Sequence, residues 1–242
     1  YNDNYKENNI INIEIKNYLY SKSPDGKDIF KLFDILWTNR KNNKFNVDGI
    51  IFTPILENYP LKGGSWSPLF KWKPPELNTI DFLVKFKKDN NNNDIILPYY
   101  IRDKNNKIVK IKQYKVIELY VGKESETFNK KTMQKYIECT PFNPYNVNEE
   151  NIHKYNVVNL FLEDGEKIYT LDPITNNQDE IIDDIIVEFG YDENKEDFYK
   201  WIPIRVRNDK TRKYKNNRDN CGNYEKIAYD IYKTIIYPIT AN

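Results

Sequence analysis

Apolar and polar positions recur at two different periods along this 242-residue chain, and the change of period divides it. Residues 10–15 alternate as a half-buried strand does. Ile29, Phe30, Leu32, Phe33, Leu36 and Trp37 then recur at helical spacing, so one helix follows one strand. An Asn-rich turn at 39–46 leads into Val47-Asp48-Gly49-Ile50-Ile51-Phe52. This short apolar run is bounded by Asp-Gly and by Thr53-Pro54, and it predicts a buried strand with the Asp48 carboxylate at its start. After a Gly63-Gly64 loop, residues 68–73 predict a second strand, in which Lys71 and Lys73 share one face and Phe70 and Trp72 the other. Pro74-Pro75 ends it, and a domain boundary is expected near Pro75.

The run at 79–86 opens an all-β region. Strand-like runs at 95–101, 108–120, 157–162, 167–171, 185–189 and 202–206 are separated by turn clusters, a spacing that suits a small antiparallel barrel. The polar stretches 88–94, 141–151 and 176–184 are expected to be solvated connectors. The chain closes on a helical pattern in which Ile227, Ile231 and Ile235 fall four apart, with Asn223 as a cap and Pro238 as a stop.

Composition narrows the class without naming a chemistry. Lys and Arg (37) nearly cancel Asp and Glu (36), so any site for a polyanion must be a local patch. An apolar fraction of 39% with 20 Tyr indicates a folded chain despite the many Asn and Lys. Cys139 and Cys221, with no CxxC and His153 as the only histidine, predict neither a zinc cluster nor a disulfide framework, and a reducing compartment follows. No apolar run approaches the roughly 20 residues of a membrane span.

Three clusters hold the residue types that phosphate chemistry uses: Asp48 in DGIIFTP, Lys71 and Lys73 in LFKWK, and Arg205, Arg207, Asp209 and Lys210 in WIPIRVRNDK. Taken singly each is weak. An Asp-Gly before a strand is usually a turn, alternating lysines are usually a solvated face, and Arg-x-Arg usually makes surface ion pairs worth little.

In this order and spacing, DGIIFTP, LFKWKPPELNTIDFLVK and WIPIRVRNDKT resemble the later motifs of covalent nucleotidyltransferases, and mRNA capping guanylyltransferases best of all. KWKPPELNTIDF is the most specific segment. The resemblance implies an α+β chain: residues 1–75 as the C-terminal portion of a nucleotidyltransferase domain, 76–212 as an OB-fold β-barrel that closes over it, and 213–242 as a C-terminal helix. It implies GTP as substrate and 5′-diphosphate RNA as acceptor. Carried over by residue, Asp48 would hold Mg²⁺ or Mn²⁺, and Lys71 and Lys73 would touch the α-phosphate. Arg207, Asp209 and Lys210, with Arg205 beside them, would reach the β- and γ-phosphates. IEIKNYLY at 13–20 adds Lys16 and Tyr18 as nucleotide contacts, while Glu188 in IIVEF is given no role. These choices suit the reaction, because attack at phosphorus builds charge on oxygens that ammonium groups and a hard cation neutralise.

The family forms its lysyl-nucleotide through Lys-x-Asp-Gly, and no such tetrapeptide occurs here. The chain is therefore expected to begin partway through the transferase domain and to be inactive alone. An RNA triphosphatase would lie upstream and a cap methyltransferase downstream, in a protein of large-DNA-virus or linear-plasmid type. That places it in the cytoplasm, or in a viral factory or virion. Two alternatives stand beside this reading. One is an ATP-dependent ligase-type enzyme. The other is a non-catalytic OB-fold module that binds RNA through Tyr99, Tyr100, Tyr114 and Tyr120.

Overall fold

A computed structural model describes residues 18–22, 26, 28–58, 60–61, 66–128, 135–217 and 221–239. The expected strand at 10–15 and Lys16 lie outside them. The chain divides into two compact units, one ending at Trp72 and the other starting at Lys73.

In the first unit, helix α1 (Ile29–Asn39) precedes an antiparallel pair, β1 (Ile50–Phe52) and β2 (Phe70–Trp72). The register sets Ile50 opposite Trp72, Ile51 opposite Lys71 and Phe52 opposite Phe70. One face of the pair is therefore aromatic, and α1 covers it. The Trp72 ring lies 4.8 Å from Phe33 and 5.0 Å from Trp37, both edge-on. Such contacts add about 1 kcal/mol each beyond burial.

The second unit is built on a seven-stranded antiparallel sheet. Its strands are β3 (Ile80–Phe86), β4 (Ile96–Arg102), β5 (Ile108–Phe128), β6 (Lys135–Pro141), β7 (Val157–Phe161), β10 (Ile185–Tyr191) and β11 (Trp201–Val206). A two-stranded ladder, β8 (Ile168–Tyr169) with β9 (Glu180–Ile181), lies between β7 and β10 in sequence. The spine is β5, whose 21 residues pair in succession with β4, β7, β3 and β6. Three α-helices complete the unit among the described residues: α2 (Glu149–Asn156), α3 (Asn208–Asn217) and α4 (Glu225–Ile236).

Alternation along β3 separates two environments. Ile80, Phe82 and Val84 enter the main core with Leu119, Phe142, Phe189, Trp201 and Tyr232. Phe82 is fully buried and meets Trp201, Phe142 and Phe189 at ring separations of 4.9, 5.1 and 5.9 Å. The opposite face of β3 carries Asp81 and Leu83, and Leu83 packs with Ile186, Tyr214 and Cys221 under α3.

Several expectations need correction. Residues 135–141 form a strand that the sequence pattern did not suggest. The supposed connector 141–151 contains the start of α2, and 176–184 contains β9, whose Ile181 is 2% exposed. Asn223 does not cap α4, whose N-cap is Tyr224. The core-facing residues of α4 are Ala228, Ile231, Tyr232 and Ile236, whereas Ile227 is 49% exposed. Cys139 and Cys221 are joined in a disulfide, with Cα atoms 5.5 Å apart across 82 residues of sequence, so the expectation of no disulfide fails.

The 88–94 loop also does more than connect. Asp94 pairs with both Lys88 and Lys115, and the Lys115 side chain is 10% exposed. Burial works against the Asp94 charge, but the hydrogen bonds from Lys115 and Lys88 outweigh it, so its carboxyl is held below the usual 3.8. A group lowered on folding stabilises above its unfolded value and loses that contribution as pH falls through the folded one. Asp94→Asn should therefore cost about 2 kcal/mol near pH 7, and the gap from the parent should shrink below pH 3.8, read from urea midpoints at both pH values. The disulfide sets a second expectation. Replacing both cysteines by serine should lower stability by up to about 4 kcal/mol, the entropy of closing so long a loop, measured as the shift in denaturation midpoint.

Candidate functional site

The lysine pair sits where its alternation requires. Lys71 and Lys73 are exposed on either side of buried Trp72, which α1 anchors, and Lys71 shares its face of the β1–β2 pair with exposed Ile51. Asp48 is exposed two residues before β1, and Tyr18 is 57% exposed. Among the described residues no three His, Cys, Asp or Glu side chains gather into a metal cluster.

The arginine-rich segment is organised more tightly. β11 ends at Val206 and α3 starts at Asn208, so Arg207 stands at the junction and its carbonyl accepts from the Thr211 N–H at 2.8 Å. Arg207 and Lys210 are three residues apart at the start of a helix, a spacing that turns both side chains to one side. There they meet Asp81, whose side chain is 7% exposed. Arg207 Nη1 donates to Asp81 Oδ2 at 2.7 Å, and Lys210 Nζ donates to the same oxygen at 2.5 Å.

A second carboxylate, Glu188, lies directly across the β3–β10 ladder from Asp81. It accepts from Thr79 Oγ1 at 2.7 Å and from Arg205 Nε at 2.6 Å, and lies 3.7 Å from Arg207 Nη1. Arg207 Nε also donates to Asp209 at 3.4 Å. Burial opposes the Arg207 charge, but the Asp81, Asp209 and Glu188 carboxylates outweigh it and hold the guanidinium above its ordinary pKa. The Arg207 bond in turn lowers the Asp209 carboxyl.

A short strap, residues 221–224, fixes the backbone beneath this cluster. The Asn223 N–H donates to the Asp81 carbonyl at 2.7 Å, and the Asp81 N–H donates to Asn223 Oδ1 at 2.7 Å. Gly222 has φ of +96° and passes so close that a Cβ would lie 2.2 Å from the Asp81 carbonyl oxygen. Only glycine fits there. The strap is tied to β5 through a hydrogen bond from Gly122 N–H to the Asn223 carbonyl and to β6 through the disulfide. Lys210, Gly122, Ile137 and the strap line a recess of about 210 Å³.

The chain is 36% identical over 236 residues, 93% of its length, to a probable mRNA-capping enzyme of Acanthamoeba polyphaga mimivirus. It is related to a viral capping enzyme. The matched stretch is 18% of that enzyme, so the relative is a much larger protein. No family model matches the chain.

The structure brings the sequence-predicted Arg205, Arg207, Asp209 and Lys210 into one cluster. Sequence reasoning did not anticipate the two carboxylates that order them. Asp81 was visible in NTIDF and Glu188 in IIVEF, each as a charge within an otherwise apolar strand. That was the available signal, because a buried charge needs a partner.

The cluster predicts an asymmetry. Asp81→Asn leaves two partly buried cations facing a neutral amide and should cost about 3 kcal/mol. Arg205→Ala, at a side chain 54% exposed, should cost under about 1 kcal/mol. Urea denaturation of the two variants checks both values.

Proposed function

We propose that this chain is part of the machinery that transfers GMP from GTP to the 5′-diphosphate end of RNA. The observation that carries the proposal is the identity to a viral capping enzyme across nearly the whole chain, together with the family motifs in order. On this reading residues 1–75 are the end of a nucleotidyltransferase domain, 76–212 an OB-fold domain and 213–242 a C-terminal helix.

The chemistry assigns a task to each cluster. A lysine amine attacks the α-phosphorus of GTP, a P–N bond forms, the α–β phosphoanhydride breaks, and pyrophosphate leaves. A terminal phosphate oxygen of the RNA then displaces the lysine. Lys71 and Lys73 neutralise the α-phosphate oxygens as negative charge builds on them. Arg207 and Lys210 hold the β- and γ-phosphates, Arg207 through its fork and Lys210 as a point charge, with Asp209 orienting Arg207. Lys16 and Tyr18 contact the nucleotide. A divalent ion bound through Asp48 would supply further positive charge beside the phosphates. The nucleophilic amine is assigned to none of the 242 residues, since Lys-x-Asp-Gly is absent from them.

The test uses a protein that carries this chain together with the nucleophile, incubated with α-labelled GTP or ATP. Covalent label from GTP is expected, and label from ATP alone would point to a ligase-type enzyme instead. Lys73→Ala should abolish the adduct with the protein still folded. Lys210→Ala should slow adduct formation at least tenfold, and an unchanged rate would remove this residue from phosphate binding.

A further inference from the structure

The β4–β5 hairpin is strongly basic in a chain with almost no net charge. Between residues 96 and 115 it carries Arg102, Lys104, Lys107, Lys110, Lys112 and Lys115 against one acid, Asp103. Asp103 is spent on its own turn, where it accepts from the Asn105 and Lys107 N–H groups. Lys115 points to the other face and pairs with Asp94. Lys104, Lys107, Lys110 and Lys112 meet no carboxylate among the described residues, and all four are exposed.

Register sorts the hairpin's two faces. Tyr99 lies opposite Lys112, Ile101 opposite Lys110, and Leu97 opposite Tyr114, while Tyr114 also faces Phe161 of β7. Directly opposed residues share a face. Tyr99, Tyr114, Phe161 and Tyr199 therefore form one half-exposed ring cluster, with centroid separations of 5.3 to 6.4 Å. The Lys112 ammonium lies 4.9 Å from the Phe161 centroid. Tyr100 projects to the opposite face beside Ile111, and Tyr120 is engaged with Glu118, so neither belongs to the cluster.

From this juxtaposition we propose that the Tyr99–Tyr114–Phe161–Tyr199 face binds the single-stranded RNA substrate, with Lys110 and Lys112 tracking its phosphates. Rings give bases a sequence-tolerant stacking surface, and lysines on alternate strand positions follow an extended backbone. The neighbouring charges fix the side on which the phosphates run. The turn after β7 carries Glu163, Asp164 and Glu166, while the hairpin carries the exposed lysines, so the phosphates run on the hairpin side. An acidic protein partner would gain from the lysines but would leave the ring cluster unused.

This proposal rests on the capping reading for the choice of RNA, but its test is independent of GTP. The 242-residue chain is titrated against a fluorescein-labelled 12-nucleotide RNA over a range of salt, with anisotropy as the readout. Lys110→Ala/Lys112→Ala should weaken binding about tenfold and lower the salt slope by about 1.4, the share of two single-strand phosphates. Tyr99→Ala should weaken it by a similar factor with the slope unchanged, because stacking is uncharged. Tyr99→Phe should retain binding, which separates a lost ring from a lost fold, and Lys226→Ala on α4 should leave it unaltered. Absence of RNA binding by the parent chain, or binding as tight as the parent's by the Lys110→Ala/Lys112→Ala and Tyr99→Ala variants, overturns the proposal. A normal GTP adduct with RNA binding indifferent to these changes would remove this face alone. Intact RNA binding without any adduct would remove the transfer reading alone.

Discussion

One buried oxygen, Asp81 Oδ2, holds the second unit's charged cluster together. It accepts from Arg207 at the end of β11 and from Lys210 in the first turn of α3. The other oxygen of the same carboxylate is buried with no donor among the described residues. A carboxylate this enclosed is tolerated only with its cations in place. The β3 strand, the β11–α3 junction and the strap must therefore assemble together. The same constraint explains Gly222, since the strap can reach both backbone groups of Asp81 only by passing closer than a Cβ permits.

The cluster's charge balance bears on how a phosphate could enter it. Asp81, Glu188 and Asp209 offset Arg205, Arg207 and Lys210 one for one, so the site holds no surplus charge to attract an anion from a distance. What it holds is unspent hydrogen-bonding capacity. A guanidinium has five donors and an ammonium three, and those made to Asp81, Glu188 and Asp209 do not exhaust them. A phosphate would then add to cations already oriented by carboxylates, or displace Asp81 from them. In the first case the carboxylates keep the cations in place; in the second the ligand takes over the acceptor role of Asp81.

The local periodicities were legible in the sequence because each reports one face of one element. The alternation of LFKWK placed Trp72 inward and both lysines outward, and the runs at 80–86 and 185–191 became strands with nearly the expected bounds. What escaped depended on partners remote in sequence. Asp81 and Arg207 are 126 residues apart, and the disulfide spans 82. The strand at 135–141 carries Glu138 and Lys135 within a mixed pattern, and it is held by pairing to β5 rather than by any run of its own. In α4 the four-residue spacing of the isoleucines was real, but only Ile231 of the three packs on the core, beside Ala228 and Tyr232, since Tyr232 completes the ring cluster around Trp201 and Phe142.

Net charge of +1 hides two opposite arrangements of basic residues. Around Asp81 the cations are paired and partly sheltered, so their field is cancelled locally and their geometry is fixed. Along the β4–β5 hairpin Lys104, Lys107, Lys110 and Lys112 are exposed and meet no carboxylate among the described residues, so their field extends into solvent over about a Debye length. The first arrangement suits a ligand bound in one pose, such as a polyphosphate whose oxygens must meet particular donors. The second suits a flexible polyanion that is captured first and positioned afterwards. This chain keeps the two arrangements on separate elements of the same unit, the β11–α3 junction and the β4–β5 hairpin.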